Sequence, residues 1–151
     1  MSATAQTMVS GGVAETLFPA AVLKRIRTVV VDDSPKFLQG VCALLNLDPL
    51  VDLVAHAGKG GEAIEMVLKL QPELVLMDVH MPYLDGLTLA WFFARRFPST
   101  RVVLMSADRS RELREACEEA GAIHLIHKED FRQEFGSVLQ RVFSSSAILH
   151  S

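Results

Sequence analysis

Cysteine, tryptophan and tyrosine are scarce in this chain, with two, one and one residues. Cys42 and Cys117 have no metal-binding or redox spacing, so a disulfide scaffold and a cysteine-based metal site are set aside. They read as reduced core thiols, which points to the cytoplasm. Positive charge is not in excess: the formal net charge is -3, which gives no broad basic surface for nucleic acid. No apolar run approaches the ~18–20 residues that a membrane span needs. Lys24, Arg25 and Arg27 follow the first apolar stretch, the wrong order for a secretory signal. Neither nucleic-acid nor membrane binding is therefore expected. What remains is a chain half apolar and 22% charged, the composition of one soluble globular domain with a real core.

Residues 1–23 read as an N-terminal tail, with a candidate short helix interrupted at Pro19. An amphipathic docking or targeting segment is the sharper alternative there. From residue 28 two periodicities alternate. The β-branched run Thr28 to Asp32 suits a strand buried on both faces of a parallel sheet. Ser34-Pro35 supplies an N-cap and a first-turn proline for a helix to about Leu47. Val51 to Ala57, Leu74 to Asp78, Arg101 to Ser106 and Ile123 to Lys128 read as four more strands. Helical stripes follow each, with Gly121 closing the fourth helix and Asp130 placed to cap the last. Strict alternation of five strands and five helices implies an α/β fold, a parallel sheet with helices on both faces. The folded unit is expected at 24–144, with a C-terminal tail at 145–151.

The strand ends carry the chemistry. Strand one ends in Asp32-Asp33, strand three in Asp78, strand four in Ser106 and strand five in Lys128. A parallel sheet brings these ends to one edge, where ligands bind in folds of this kind. Three crowded carboxylates resist ionisation unless a cation is present, and a hard ion such as Mg²⁺ answers that. Asp78 would then serve as a nucleophile toward phosphorus, Lys128 would neutralise developing charge, and Ser106 would donate to a phosphoryl oxygen. Taken singly, Asp32-Asp33 reads as a helix-cap pair, Ser106 as a turn residue and Lys128 as a solvated lysine. Their coincidence at four strand ends weakens that bland account.

Four stretches carry a resemblance to a known family: Val29 to Ser34, Val75 to Gly86, Val102 to Ala107 and Ala120 to Lys128. They resemble the receiver domains of bacterial two-component response regulators. The resemblance implies a flavodoxin-like, doubly wound five-stranded parallel sheet in the order 2-1-3-4-5. It implies Asp78 as phosphoacceptor and Mg²⁺ as cofactor, bound by Asp33, Asp78 and the backbone carbonyl of His80, with Asp32 acting largely through water. Ser106 matches the switch hydroxyl, Lys128 the phosphoryl-pairing lysine and Asp85 a structural turn residue. The implied partners are a histidine kinase or phosphotransfer protein and an unknown downstream protein, with a homodimer left open.

Two positions depart from the family pattern. Leu125 stands where the switch usually has Tyr or Phe, and Glu129 stands where proline often follows the lysine. Lysine followed by an acidic residue resembles receivers of helix-turn-helix regulators, yet no such output domain follows, so a stand-alone receiver is expected. His80 and Asp108, two residues after Asp78 and Ser106, flank the path of hydrolytic water and are candidates for tuning dephosphorylation. No turnover of an external substrate is expected. The alternative is a pseudo-receiver, a binding module that keeps the fold and lacks the chemistry.

Overall fold

The computed structural model describes residues 24–143; the two expected tails, including the candidate helix before Leu23, lie outside the described residues. Five strands, β1 (Ile26–Val31), β2 (Val51–Ala57), β3 (Leu74–Asp78), β4 (Arg101–Ser106) and β5 (His124–His127), form one sheet. Every pairing is parallel and the order is β2-β1-β3-β4-β5, as expected. Each crossover carries a helix: α1 (Pro35–Asn46), α2 (Gly60–Leu70), α3 (Gly86–Arg96) and α4 (Arg111–Ala120), with α5 (Phe131–Phe143) closing the chain.

The β-branched runs are buried because helices cover both faces. Val29, Val31, Val75, Met77 and Leu104 pack against Val67 of α2, Phe93 of α3 and Leu113 and Cys117 of α4. Val30, Leu76, Val103, Met105 and Ile126 face Val41 and Leu45 of α1 and Phe135 and Leu139 of α5. Two opposed cores thus clamp the sheet, and its carboxyl edge is left for the loops. Among the described residues no helix is long and apolar enough to cross a membrane.

Local chemistry sets the helix starts. Ser34 caps α1, its hydroxyl accepting from the Phe37 amide at 3.4 Å, and Pro35 occupies the first turn. Asp85 accepts from the Thr88 amide at 2.8 Å, so its role is the structural one expected. Asp130 does not cap α5. It closes a 3₁₀ turn, Lys128–Asp130, that runs straight into α5, and its carboxylate takes the Arg109 guanidinium at 2.8 Å. β1 begins at Ile26, before the expected Thr28, because the charged side chains nearby reach off the sheet: the Arg27 guanidinium donates to the Gln71 carbonyl at 2.9 Å.

Gly86 starts α3 directly against the end of β3. A Cβ there would lie 2.2 Å from the Asp78 carbonyl oxygen and 2.9 Å from the Val79 Cα, both backbone atoms that cannot rotate away. Gly86→Ala is expected to lower the unfolding free energy by about 2–3 kcal/mol in urea. Gly40→Ala, in a helix interior with no heavy atom within 4 Å of the added methyl, is expected to raise it by up to about 1 kcal/mol.

Candidate functional site

The carboxyl ends of β1, β3 and β5 converge on one group of charges. Asp32 follows β1, and its amide continues the ladder to the Ala57 carbonyl at 3.0 Å. Its Oδ1 accepts from the Ser34 amide at 2.8 Å, which turns the carboxylate inward to 0% exposure. Asp33, the next residue, is exposed. Asp78 ends β3 at 4% exposure, and its Oδ1 accepts from the His80 amide at 3.3 Å. Carboxylate oxygens of Asp32, Asp33 and Asp78 lie within 4.8 Å of one another.

Among the described residues one cation pairs with this cluster. Lys128 begins the turn after β5, and its Nζ lies 2.8 Å from Asp32 Oδ2 and 3.4 Å from Asp78 Oδ1. The closer contact is an ion pair without hydrogen-bond direction, so the buried Oδ2 of Asp32 has no aligned donor. The Asp78 carboxyl is pushed up to about 6, first by burial, then by the Asp32 charge and a hydrogen bond with Asp33. Lys128 and the His80 amide pull the other way and do not prevail. Three carboxylates within 4.8 Å of one another, hard oxygen donors all, and a carboxyl that resists ionisation together fit a hard divalent cation.

The other expected residues sit around this centre. Ser106 ends β4 fully buried, and its Oγ accepts from the Asp108 amide at 3.0 Å. Among the described residues no hydrogen bond joins it to Asp78. Leu125 is partly buried against the core shared with α2, α3 and α4. His80 and Asp108 are exposed. Asp108 is held below the usual carboxylate range, chiefly by the Ser110 amide, which donates to its Oδ1 at 2.8 Å.

Two contacts at this edge were not read from the sequence. Arg109 pairs with both Glu129 and Asp130, tying the loop after β4 to the turn that carries Lys128. Exposed pairs of this kind are screened by solvent and contribute little to stability. The Phe37 ring lies under the Lys128 ammonium, 4.6 Å from Nζ to the ring centroid. Nothing in the spacing of Phe37, an apolar residue on a helical stripe, distinguishes it from ordinary core.

A family model described as the response regulator receiver domain matches residues 28–139. This chain belongs to that family. The receiver domain is 35% identical over 124 residues to protein-glutamate methylesterase/protein-glutamine glutaminase 2 of Photobacterium profundum, covering 77% of this chain and 31% of that protein. It is 41% identical over 111 residues to the protein of that name from Symbiobacterium thermophilum, covering 71% of this chain and 30% of the other. The chain thus spans about a third of the length of these curated relatives.

Among solved structures, the receiver domain is similar to the signal receiver domain of NarL from Mycobacterium tuberculosis. The TM-score is 0.74 at 30% identity, covering 81% of this chain and 98% of that one. The response regulator domain of Thermotoga maritima CheB gives 0.69 at 28% identity, covering 83% and 97%.

The raised Asp78 carboxyl has a consequence for stability in the absence of divalent cations. An acid whose folded value of about 6 exceeds its usual 3.8 holds its proton longer in the folded chain. Asp78 therefore costs stability above pH 6, and the cost fades as pH falls toward 4. With chelator present, Asp78→Asn is expected to raise the thermal midpoint by several degrees at pH 7.5 and by much less at pH 4.5. An equal gain at both pH values would contradict this origin.

Proposed function

We propose that this receiver domain is a phosphorylation-driven switch in which Asp78 takes a phosphoryl group from a phosphohistidine on a kinase or phosphotransfer protein. The observation that carries the reading is the meeting of Asp32, Asp33 and Asp78 with Lys128 at one sheet edge. Asp33, Asp78 and the His80 backbone carbonyl would hold Mg²⁺ directly. Asp32, already committed to the Ser34 amide and Lys128, would act through water. When bound, Mg²⁺ supplies charge that lets Asp78 ionise and offsets the charge of the phosphoryl oxygens.

The chain's own groups then do the rest. A carboxylate oxygen of Asp78 attacks phosphorus in line with the P–N bond. That bond breaks, its electron pair returns to the partner imidazole, and the ring takes a proton from water. Lys128, within 3.4 Å of Asp78 already, pairs with a phosphoryl oxygen. Ser106 exchanges the Asp108 amide for the phosphoryl group by turning its hydroxyl, which pulls the loop after β4 inward. Leu125 replaces the usual aromatic, so the output rests on that loop movement and on repacking of the apolar side chain. The signal passes onward by protein contact, and no external substrate is turned over. The methylesterase activity in the relatives' names belongs to proteins about three times this length.

Hydrolysis ends the signal when water attacks in line. Asp108 is held by Ser110 at the loop, and the exposed His80 side chain stands on the other flank. The imidazole's bulk slows that attack. One experiment tests acceptor and lifetime together: acetyl phosphate with Mg²⁺, read by intact mass and by acid-labile phosphate. One phosphoryl group is expected on the parent, none on Asp78→Asn, and a half-life several-fold shorter in His80→Ala. Full labelling of the Asn variant overturns the acceptor assignment, and a longer half-life in His80→Ala means that histidine assists water.

A further inference from the structure

Lys128 is a flexible side chain asked to stand at one point, and three groups surround its ammonium. Asp32 and Asp78 lie on one side at 2.8 and 3.4 Å. The Phe37 ring covers another, with its centroid 4.6 Å from Nζ. The lysine side chain is only 19% exposed as a result. The ring itself is fixed. It sits in the first turn of α1, where the Ser34 hydroxyl accepts from its amide, and it packs edge-on against Phe131 with centroids 6.4 Å apart. Phe131 stacks in turn on Phe135 at 5.0 Å. Phe131 stands three residues after Lys128, and a 3₁₀ turn places residues at that spacing on one side. Phe37 therefore fits between the lysine and the first residue of α5.

We propose that Phe37 is a positioning residue for phosphoryl transfer, holding the Lys128 ammonium over the carboxylates by a cation–π contact. The inference rests on Asp78 being the acceptor. A lysine freed from the ring must be gathered from many rotamers when the phosphoryl group arrives, whereas one held on the ring is already in place. The negative face of the ring attracts the partly buried cation, a contact that neither carboxylate can make. One hexapeptide, Asp32 to Phe37, thus supplies two carboxylates, a helix cap and the support for a lysine more than ninety residues away.

The test uses the full chain, acetyl phosphate and Mg²⁺, comparing the parent with Phe37→Leu, Phe37→Tyr and replacement of Phe37 by pentafluorophenylalanine. Phe37→Leu is expected to slow labelling about five- to tenfold, between what exposed and fully desolvated cation–π contacts imply. Phe37→Tyr keeps the electron-rich face and should retain most of the rate. The fluorinated ring has nearly the same shape with its quadrupole reversed, so it should label at least as slowly as Leu, which a packing role would not produce. Placement is read separately, without phosphoryl donor, from the upfield ring-current shift of the Lys128 Cε protons, lost in Phe37→Leu. A labelled parent whose Leu and pentafluoro variants label at the parental rate overturns the positioning role alone. An absent ring-current shift in the parent does the same. A parent that takes no phosphoryl group overturns the acceptor reading and this role with it.

Discussion

One lysine shared between two buried carboxylates is the constraint on which this molecule turns. Lys128 lies 2.8 Å from Asp32 and 3.4 Å from Asp78, while Asp33 adds a third carboxylate with no cation paired to it among the described residues. The site is short of positive charge by design of its residue types. Burial first, and the Asp32 charge after it, push Asp78 up to about 6, which makes the proposed divalent cation part of the chemistry rather than an accessory. In the proposed switch, an incoming phosphoryl group would change the balance again and draw on the same lysine.

The fold keeps this imbalance in place. Two cores grip a five-stranded parallel sheet from both faces, so β1, β3 and β5 present their ends at fixed separations. Repulsion among carboxylates would be relieved by a small movement of a loop, but Asp78 is the last residue of a buried strand and Asp32 still belongs to the ladder through Ala57. Gly86 lets α3 approach the Asp78 carbonyl with no side chain between them. The loop from Ser106 to Ser110 and the turn that carries Lys128 are joined by Arg109 across Glu129 and Asp130.

Much of this was legible in the sequence because the relevant signals are periodic or sit at strand ends. The β-branched runs ending in Asp32, Asp78 and Ser106, and the proline and serine that open α1, have direct physical meanings that the fold bears out. The convergence of the three carboxylates with Lys128 followed from the topology. What escaped were contacts between side chains far apart in sequence. Phe37 looks like any apolar residue on a helical stripe, and only three dimensions bring it under Lys128. Asp130 looks like a helix cap, and Arg109, twenty-one residues earlier, takes its carboxylate instead. Ser106 accepts from the Asp108 amide, a backbone partner two residues on that its place at a strand end does not announce.

The central claim is that charge imbalance at this edge governs Asp78. Titration of the Asp78 carboxyl carbon by NMR tests it most directly, with and without Mg²⁺. In chelator the midpoint is expected near 6, the value that burial and the Asp32 charge impose. With saturating Mg²⁺ the carboxyl should stay ionised to well below that pH. An ordinary midpoint near 4 in chelator, unmoved by Mg²⁺, would contradict the account.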